Sequence, residues 1–195
     1  AYSLARRGHD VVVLEAGERL APGDHHRRME MWLRPDLERY KFWLNDTRDA
    51  YTSTGEIDAR LNKTRVKAVG GTSLHWAGNT QRLHEEDFEM NTRYGVARDW
   101  PISYDDLRPY YVRAEREMGV SGADDNPYGP PRKEPYPQKA FQPSYSDSLF
   151  AEACGALGIS MASQPKAINS DEYDDSSECV GYGVCNACPS GPKYS

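Results

Sequence analysis

No apolar run in the sequence approaches the roughly 20 consecutive residues that a helix needs to cross a bilayer, so no stretch is a candidate helical membrane span. Positive charge is also short. Twenty-four Lys and Arg stand against 30 Asp and Glu, a formal net charge of -6, which argues against nucleic acid as a partner, because binding a phosphate backbone needs a basic face. Histidine stops at His84, and there are only four cysteines, three of them crowded between Cys179 and Cys188. What remains suits a folded domain: 38% hydrophobic and 28% charged residues are enough to build a core and unlike a disordered tail. No leader is visible at the start, and the compartment stays open between periplasmic, membrane-associated and cytoplasmic.

The start reads as the middle of something. Ala1 to Arg7 has the look of the last turns of a helix, with Gly8 placed as its stop. Val11-Val12-Val13-Leu14 is a short apolar run of the buried parallel-strand kind, ended by Glu15-Ala16-Gly17. A strand that finishes in an acid matches the second strand of a dinucleotide-binding unit, where the carboxylate accepts hydrogen bonds from ribose hydroxyls. The phosphate-binding glycines of such a unit belong about 20 residues before that acid, which is before the first residue. The expectation is therefore a piece of a longer chain. An exposed acid closing an ordinary strand is the plainer reading of Glu15.

The stretch with most chemistry is Val69-Gly70-Gly71-Thr72-Ser73-Leu74-His75-Trp76-Ala77-Gly78-Asn79. Paired glycines permit backbone conformations and close approaches that a side chain forbids. Thr72 and Ser73 add short hydroxyls of the kind that start helices, whose free N–H groups attract anionic oxygens. His75 and Trp76 then set an imidazole and a flat ring beside the turn. Such a loop suits a phosphate-bearing aromatic cofactor, and it equally describes a tight turn followed by two core residues.

Between Leu20 and Leu61 no strand alternation is visible, and short helices in irregular chain are expected, with Trp32 and Trp43 as packing residues and His25-His26 in a surface loop. Arg82 is a lone charge that could anchor cofactor or substrate. Farther on, Ser103 with Asp106 makes a variant capping box, and Leu107, Tyr110, Tyr111, Ala114 and Met118 share one helical face before Gly119 ends it. Six prolines between Asn126 and Pro143 predict an extended connector. Ser146 to Leu157 predicts a helix stopped by Gly158, with Phe150, Cys154 and Leu157 on one face and Cys154 as a small buried hydrophobe.

Cys179, Cys185 and Cys188 are spaced by five and two residues, with Gly181 and Gly183 between them and Pro189 after them. Thiolates so spaced can converge on one soft metal centre. Zinc would need a fourth ligand that no later histidine supplies, and a disulfide plus one free thiol is the remaining reading.

The Val69–Gly78 loop resembles the flavin-contacting loop of the glucose–methanol–choline (GMC) oxidoreductases, particularly the FAD sugar dehydrogenase branch, and Asp99 to Gly122 is similar to the same family. The resemblance implies an α/β fold with a partial Rossmann-like FAD-binding domain over 1–100, followed by a connector and the start of a substrate or cluster-bearing region over 101–195. It implies FAD held by Glu15, Gly70, Gly71, Thr72, Ser73, His75, Trp76, Gly78 and Asn79; in some members the histidine matching His75 is covalently joined to the flavin. It also implies a 3Fe–4S cluster on Cys179, Cys185 and Cys188, although the doubled cysteine of some relatives is missing. The expected reaction is oxidation of an alcohol, a sugar or sugar acid, with electrons passed to a cytochrome or quinone. The family's catalytic histidine is expected beyond residue 195, so no catalytic residue is named. An O2-using oxidase with structural cysteines and a non-catalytic iron–sulfur module are the rival readings.

Overall fold

The computed structural model describes residues 1–19, 54, 65–181, 183, 185, 188 and 190–194. The expectations for the 20–61 stretch, including His25, His26, Trp32 and Trp43, lie outside the described residues. The chain divides into two compact units, one formed by Ala1–Trp76 with Cys188, the other by Ala77–Cys185 with Ser190–Tyr194. No described helix is long and apolar enough to cross a membrane.

The first unit opens with helix α1, Tyr2–Ala5, and Gly8 follows at a φ of 82°, the left-handed stop that its position predicts. Residues 11–16 carry no strand pairing, and Val12, Val13 and Leu14 are 84, 68 and 92% exposed. The buried parallel strand expected from Val11–Leu14 is thus absent among the described residues, as is a Rossmann-like sheet. An apolar run becomes a sheet strand only when neighbours supply backbone partners and cover both faces, and none of the described residues does so. Pairing begins just after the run, where Glu18 bridges Ala68 in parallel and its carbonyl accepts the Val69 N–H at 3.0 Å. Val66, Ala68 and Leu74 close over this bridge as a small apolar cluster.

The second unit is built on an irregular ladder whose middle is 165–169. Lys166 exchanges two backbone hydrogen bonds with Ser121, of 2.8 and 2.9 Å. Pro165 and Ala167 turn the other way: Thr80 donates to Pro165 and Ala167 donates to Gly78, while Tyr194 donates back to Ala167. Beyond Ser121, strand β1 (Ser121–Gly122) pairs in parallel with β2 (Gln138–Lys139). Val120, Ser121, Ala167, Ile168 and Asn169 are buried along this ladder. Gln138 fills its four hydrogen-bonding capacities there, donating to the Gly119 carbonyl and Asn169 Oδ1 and accepting the Ser170 and Asp171 N–H groups.

The described residues of the second unit include three α-helices. Helix α2 is Met90–Tyr94. Helix α3, Tyr104–Glu117, starts at Ser103, whose hydroxyl accepts the Asp106 N–H while the Asp106 carboxylate accepts the Ser103 N–H. That is the predicted capping box. The inward face overlaps the predicted one in part: Leu107, Tyr111 and Met118 are half-buried beside the buried Tyr104, Val112 and Glu115, whereas Tyr110 is 66% exposed and Ala114 is exposed too. The Glu115 carboxylate, which is not part of the predicted face, is buried because two arginines meet it there. Helix α4 spans Tyr145–Ala156, capped by Ser144 with Asp147. None of its residues is buried. Phe150 and Leu157 are exposed and Cys154 is half-buried, so the face expected to pack has no cover among the described residues.

Candidate functional site

Gly17 sets the geometry of the first unit. A Cβ built on it would fall well inside contact distance of the Lys67 carbonyl carbon and oxygen and of the Ala68 nitrogen. Only glycine lets the end of the 11–16 segment press main chain to main chain against 66–68. Two residues earlier, Glu15 accepts the Gly17 N–H on Oε1 at 2.7 Å, which draws its carboxylate back over the turn.

The chain that meets Gly17 runs directly into the double glycine. Gly70 and Gly71 adopt φ values of 96° and 54°, both left-handed, and Gly71 N–H donates to the Ala68 carbonyl at 2.8 Å. Residues Gly71–Leu74 then form one turn of 3-10 helix. Ser73 Oγ donates to the Gly70 carbonyl at 2.6 Å and holds the turn closed. Around Gly71 the space is open: the nearest atom to an added Cβ is the Val66 carbonyl oxygen, 3.9 Å away. Thr72 is exposed beside it, and His75 and Trp76 are half-buried. Bare backbone, an exposed hydroxyl and an aromatic ring in one turn fit the approach of a flat, phosphate-bearing group such as FAD, and the Glu15 carboxylate belongs to the same unit.

Gly78 and Asn79 fall in the second unit. Gly78, at a φ of 75°, gives its carbonyl to Ala167 N–H at 2.7 Å, and Asn79 bridges Lys166. Their backbones serve the ladder.

Cys179 and Cys185 belong to the second unit and Cys188 to the first. None of the four cysteines forms a disulfide, and among the described residues no group of three or more His, Cys, Asp or Glu side chains is placed to hold a metal ion. Cys179 Sγ instead accepts the Gly181 N–H at 3.4 Å, and the Cys185 carbonyl accepts Lys193 Nζ at 3.0 Å. Cluster ligation requires three thiolates turned to one centre. The described residues show no such grouping, and no electron route through these cysteines follows from them.

Arg82 is spoken for as well. Its Nε and Nη2 donate to the two oxygens of Glu115, each at 2.7 Å, and its Nη1 donates to the Tyr104 hydroxyl at 3.0 Å. Arg132 donates to the same two carboxylate oxygens at 2.9 Å, and its guanidinium lies 3.5 Å from the centre of the Tyr136 ring. Burial opposes the ionised form of Glu115, but the donors from Arg82 and Arg132 prevail and hold its carboxyl below the ordinary range. Burial pushes the Tyr136 phenol up. Arg82 therefore braces the second unit rather than reaching for a ligand. Glu115, Arg132 and Tyr136 were not singled out by sequence; the one available sign was an acid four residues beyond Tyr111, beside the helix face read as apolar.

No protein-family model matches the chain. It is 35% identical over its whole length to the fructose dehydrogenase large subunit of Gluconobacter japonicus, 39% of which it covers. It is 31% identical over 99% of its length to 6'''-hydroxyparomomycin C oxidase of Streptomyces lividus, covering 34% of that protein. To the gluconate 2-dehydrogenase flavoprotein of Pantoea cypripedii it is 28% identical over 62% of its length, covering 23%. The chain thus spans between about a quarter and two fifths of these relatives, and it belongs to the glucose–methanol–choline family of FAD oxidoreductases.

Proposed function

We propose that this chain is part of an enzyme that oxidises the CH–OH group of a sugar or sugar acid, delivering hydride to FAD and electrons onward to an external acceptor. The observation that carries the reading is the match along the full chain to a fructose dehydrogenase large subunit. In this reading the Glu15 carboxylate holds the ribose hydroxyls of the adenosine half. Gly70, Gly71, Thr72 and Ser73 admit the diphosphate and the edge of the ring through backbone and short hydroxyls. His75 and Trp76 border the isoalloxazine and keep water from it. Bound flavin supplies the hydride acceptor, while the protein orients it.

The test is spectroscopic. A polypeptide containing this chain is expected to purify yellow and to release FAD on denaturation, and to reduce a dye acceptor anaerobically with fructose, glucose or gluconate. A colourless protein that releases no flavin overturns the reading. An O2-using oxidase is the second reading, favoured by the aminoglycoside oxidase among the relatives. Turnover that needs O2 and fails with the anaerobic dye supports it.

A further inference from the structure

The proline-rich segment expected to be an extended connector is a closed loop. Its ends are joined by β1 and β2, with Ser121 opposite Gln138, and by Asp124, whose Oδ1 accepts the Tyr136 N–H at 2.8 Å. Its root is fixed from inside: Arg132 pairs with Glu115, and the Tyr104 hydroxyl donates to the Pro131 carbonyl at 3.1 Å. The far end is fastened differently. Tyr128 is 56% exposed, and its hydroxyl reaches across to donate to the Ser160 carbonyl at 2.7 Å.

Between that far end and the chain around 81–84 and 160–165 lies a cavity of about 300 Å³. Its lining is chemically selective. Gln81, Asn126 and Gln164 present carboxamides, each able to donate and accept, while Tyr128, Tyr136 and Met161 supply aromatic and apolar surface. The His84 imidazole also borders it, Asp124 and Asp125 line the hollow that shares Arg82, Asn126 and Tyr136 with it, and the charge of Arg82 at its wall is matched by Glu115. Groups that both donate and accept beside an aromatic face match a neutral, hydroxyl-rich molecule, whose hydroxyls do the same.

We propose that residues 123–137 are a flap, rigid at the Arg132 root and latched at Tyr128, that closes over a binding site for a neutral polyol about the size of one sugar ring. Opening breaks the exposed Tyr128–Ser160 bond and leaves the buried root intact, so the motion hinges between Tyr128 and Arg132. The site lies wholly within the second unit and requires no flavin chemistry.

Hydrogen exchange read by mass spectrometry tests it on the full polypeptide containing this chain, with D-glucitol and D-fructose as probes and gluconate as the anionic control. At a sugar concentration ten times its dissociation constant, the closed state gains about tenfold, so amides in 126–131 are expected to exchange about tenfold more slowly, with gluconate less effective. Tyr128→Phe is expected to speed exchange there about fivefold without sugar, leaving α3 unchanged. The double variant Gln81→Ala and Gln164→Ala is expected to abolish the protection by sugar. Exchange indifferent to every probe, protection that survives the double variant, protection stronger with gluconate, or a Tyr128→Phe variant that exchanges as the parent does would each overturn the proposal. The readout needs no turnover, so a protein that lacks flavin but shows this protection separates the two readings.

Discussion

Arg82 and Glu115 stand 33 residues apart in sequence and meet through two parallel hydrogen bonds of 2.7 Å, both side chains almost wholly removed from solvent. Arg132 approaches the same carboxylate from the proline-rich loop. One acid thus ties together the chain after the Gly70 loop, helix α3 and the loop that α3 leads to. Neutralising it leaves two buried guanidinium groups facing an amide. Removing one partner of a buried pair costs about 3–5 kcal/mol, so Glu115→Gln is expected to lower the midpoint of chemical denaturation by that much. A loss below about 1 kcal/mol, typical of exposed pairs, would show that the pair is solvated in solution.

The same carboxylate sets an acid limit. Its folded-state pKa lies below the ordinary glutamate value of 4.5, so the fold favours the ionised form. Its stabilisation is complete above about pH 4.5 and is lost as the pH falls through the depressed folded value. Denaturation midpoints measured from pH 6 to pH 3 are expected to drop more steeply in the parent than in Glu115→Gln. Parallel curves would contradict the assignment.

Gly17→Ala tests the close approach at Lys67. The added methyl has no room, so the main chain must separate and the Glu18–Ala68 bridge must open. Overpacking of this sort costs about 1–3 kcal/mol, and the variant is expected to lose flavin along with that stability. Full flavin content at unchanged stability would show that the contact is not made.

Glu15→Ala separates cofactor binding from folding. The side chain is exposed and its bond to Gly17 is local, so stability is expected to change by less than about 0.5 kcal/mol. Flavin affinity is expected to fall about tenfold to a hundredfold, the scale of one or two charge-assisted hydrogen bonds to ribose. Equilibrium dialysis of FAD against both proteins decides it.

Ser103→Ala removes the hydroxyl that accepts Asp106 N–H and is expected to cost about 1 kcal/mol. Thermal melting gives the value, and no shift would mean that α3 starts elsewhere.

Local chemistry explains what could be read in advance. Ser103 with Asp106, Gly8 and the Gly70–Gly71 turn are each defined by a few consecutive residues, and each was placed correctly from sequence. The failures share a dependence on distant partners. Val11–Leu14 has the composition of a buried strand, yet strand pairing requires neighbours, and the described residues include none. The inward face of α3 was read only in part, because Glu115 becomes buried only where Arg82 and Arg132 arrive from 33 residues before and 17 after. The proline-rich segment was read as extended, but its closure depends on Ser121 meeting Gln138. The five-and-two cysteine spacing describes an available reach; among the described residues no group of side chains is placed to hold a metal.

The contact at Gly17 acts as a gauge. Because main-chain atoms meet there, the span from the Glu15 tip to the double-glycine turn is fixed by backbone. Exchanging the side chains on either segment changes the chemistry at each end, while the distance between them stays the same.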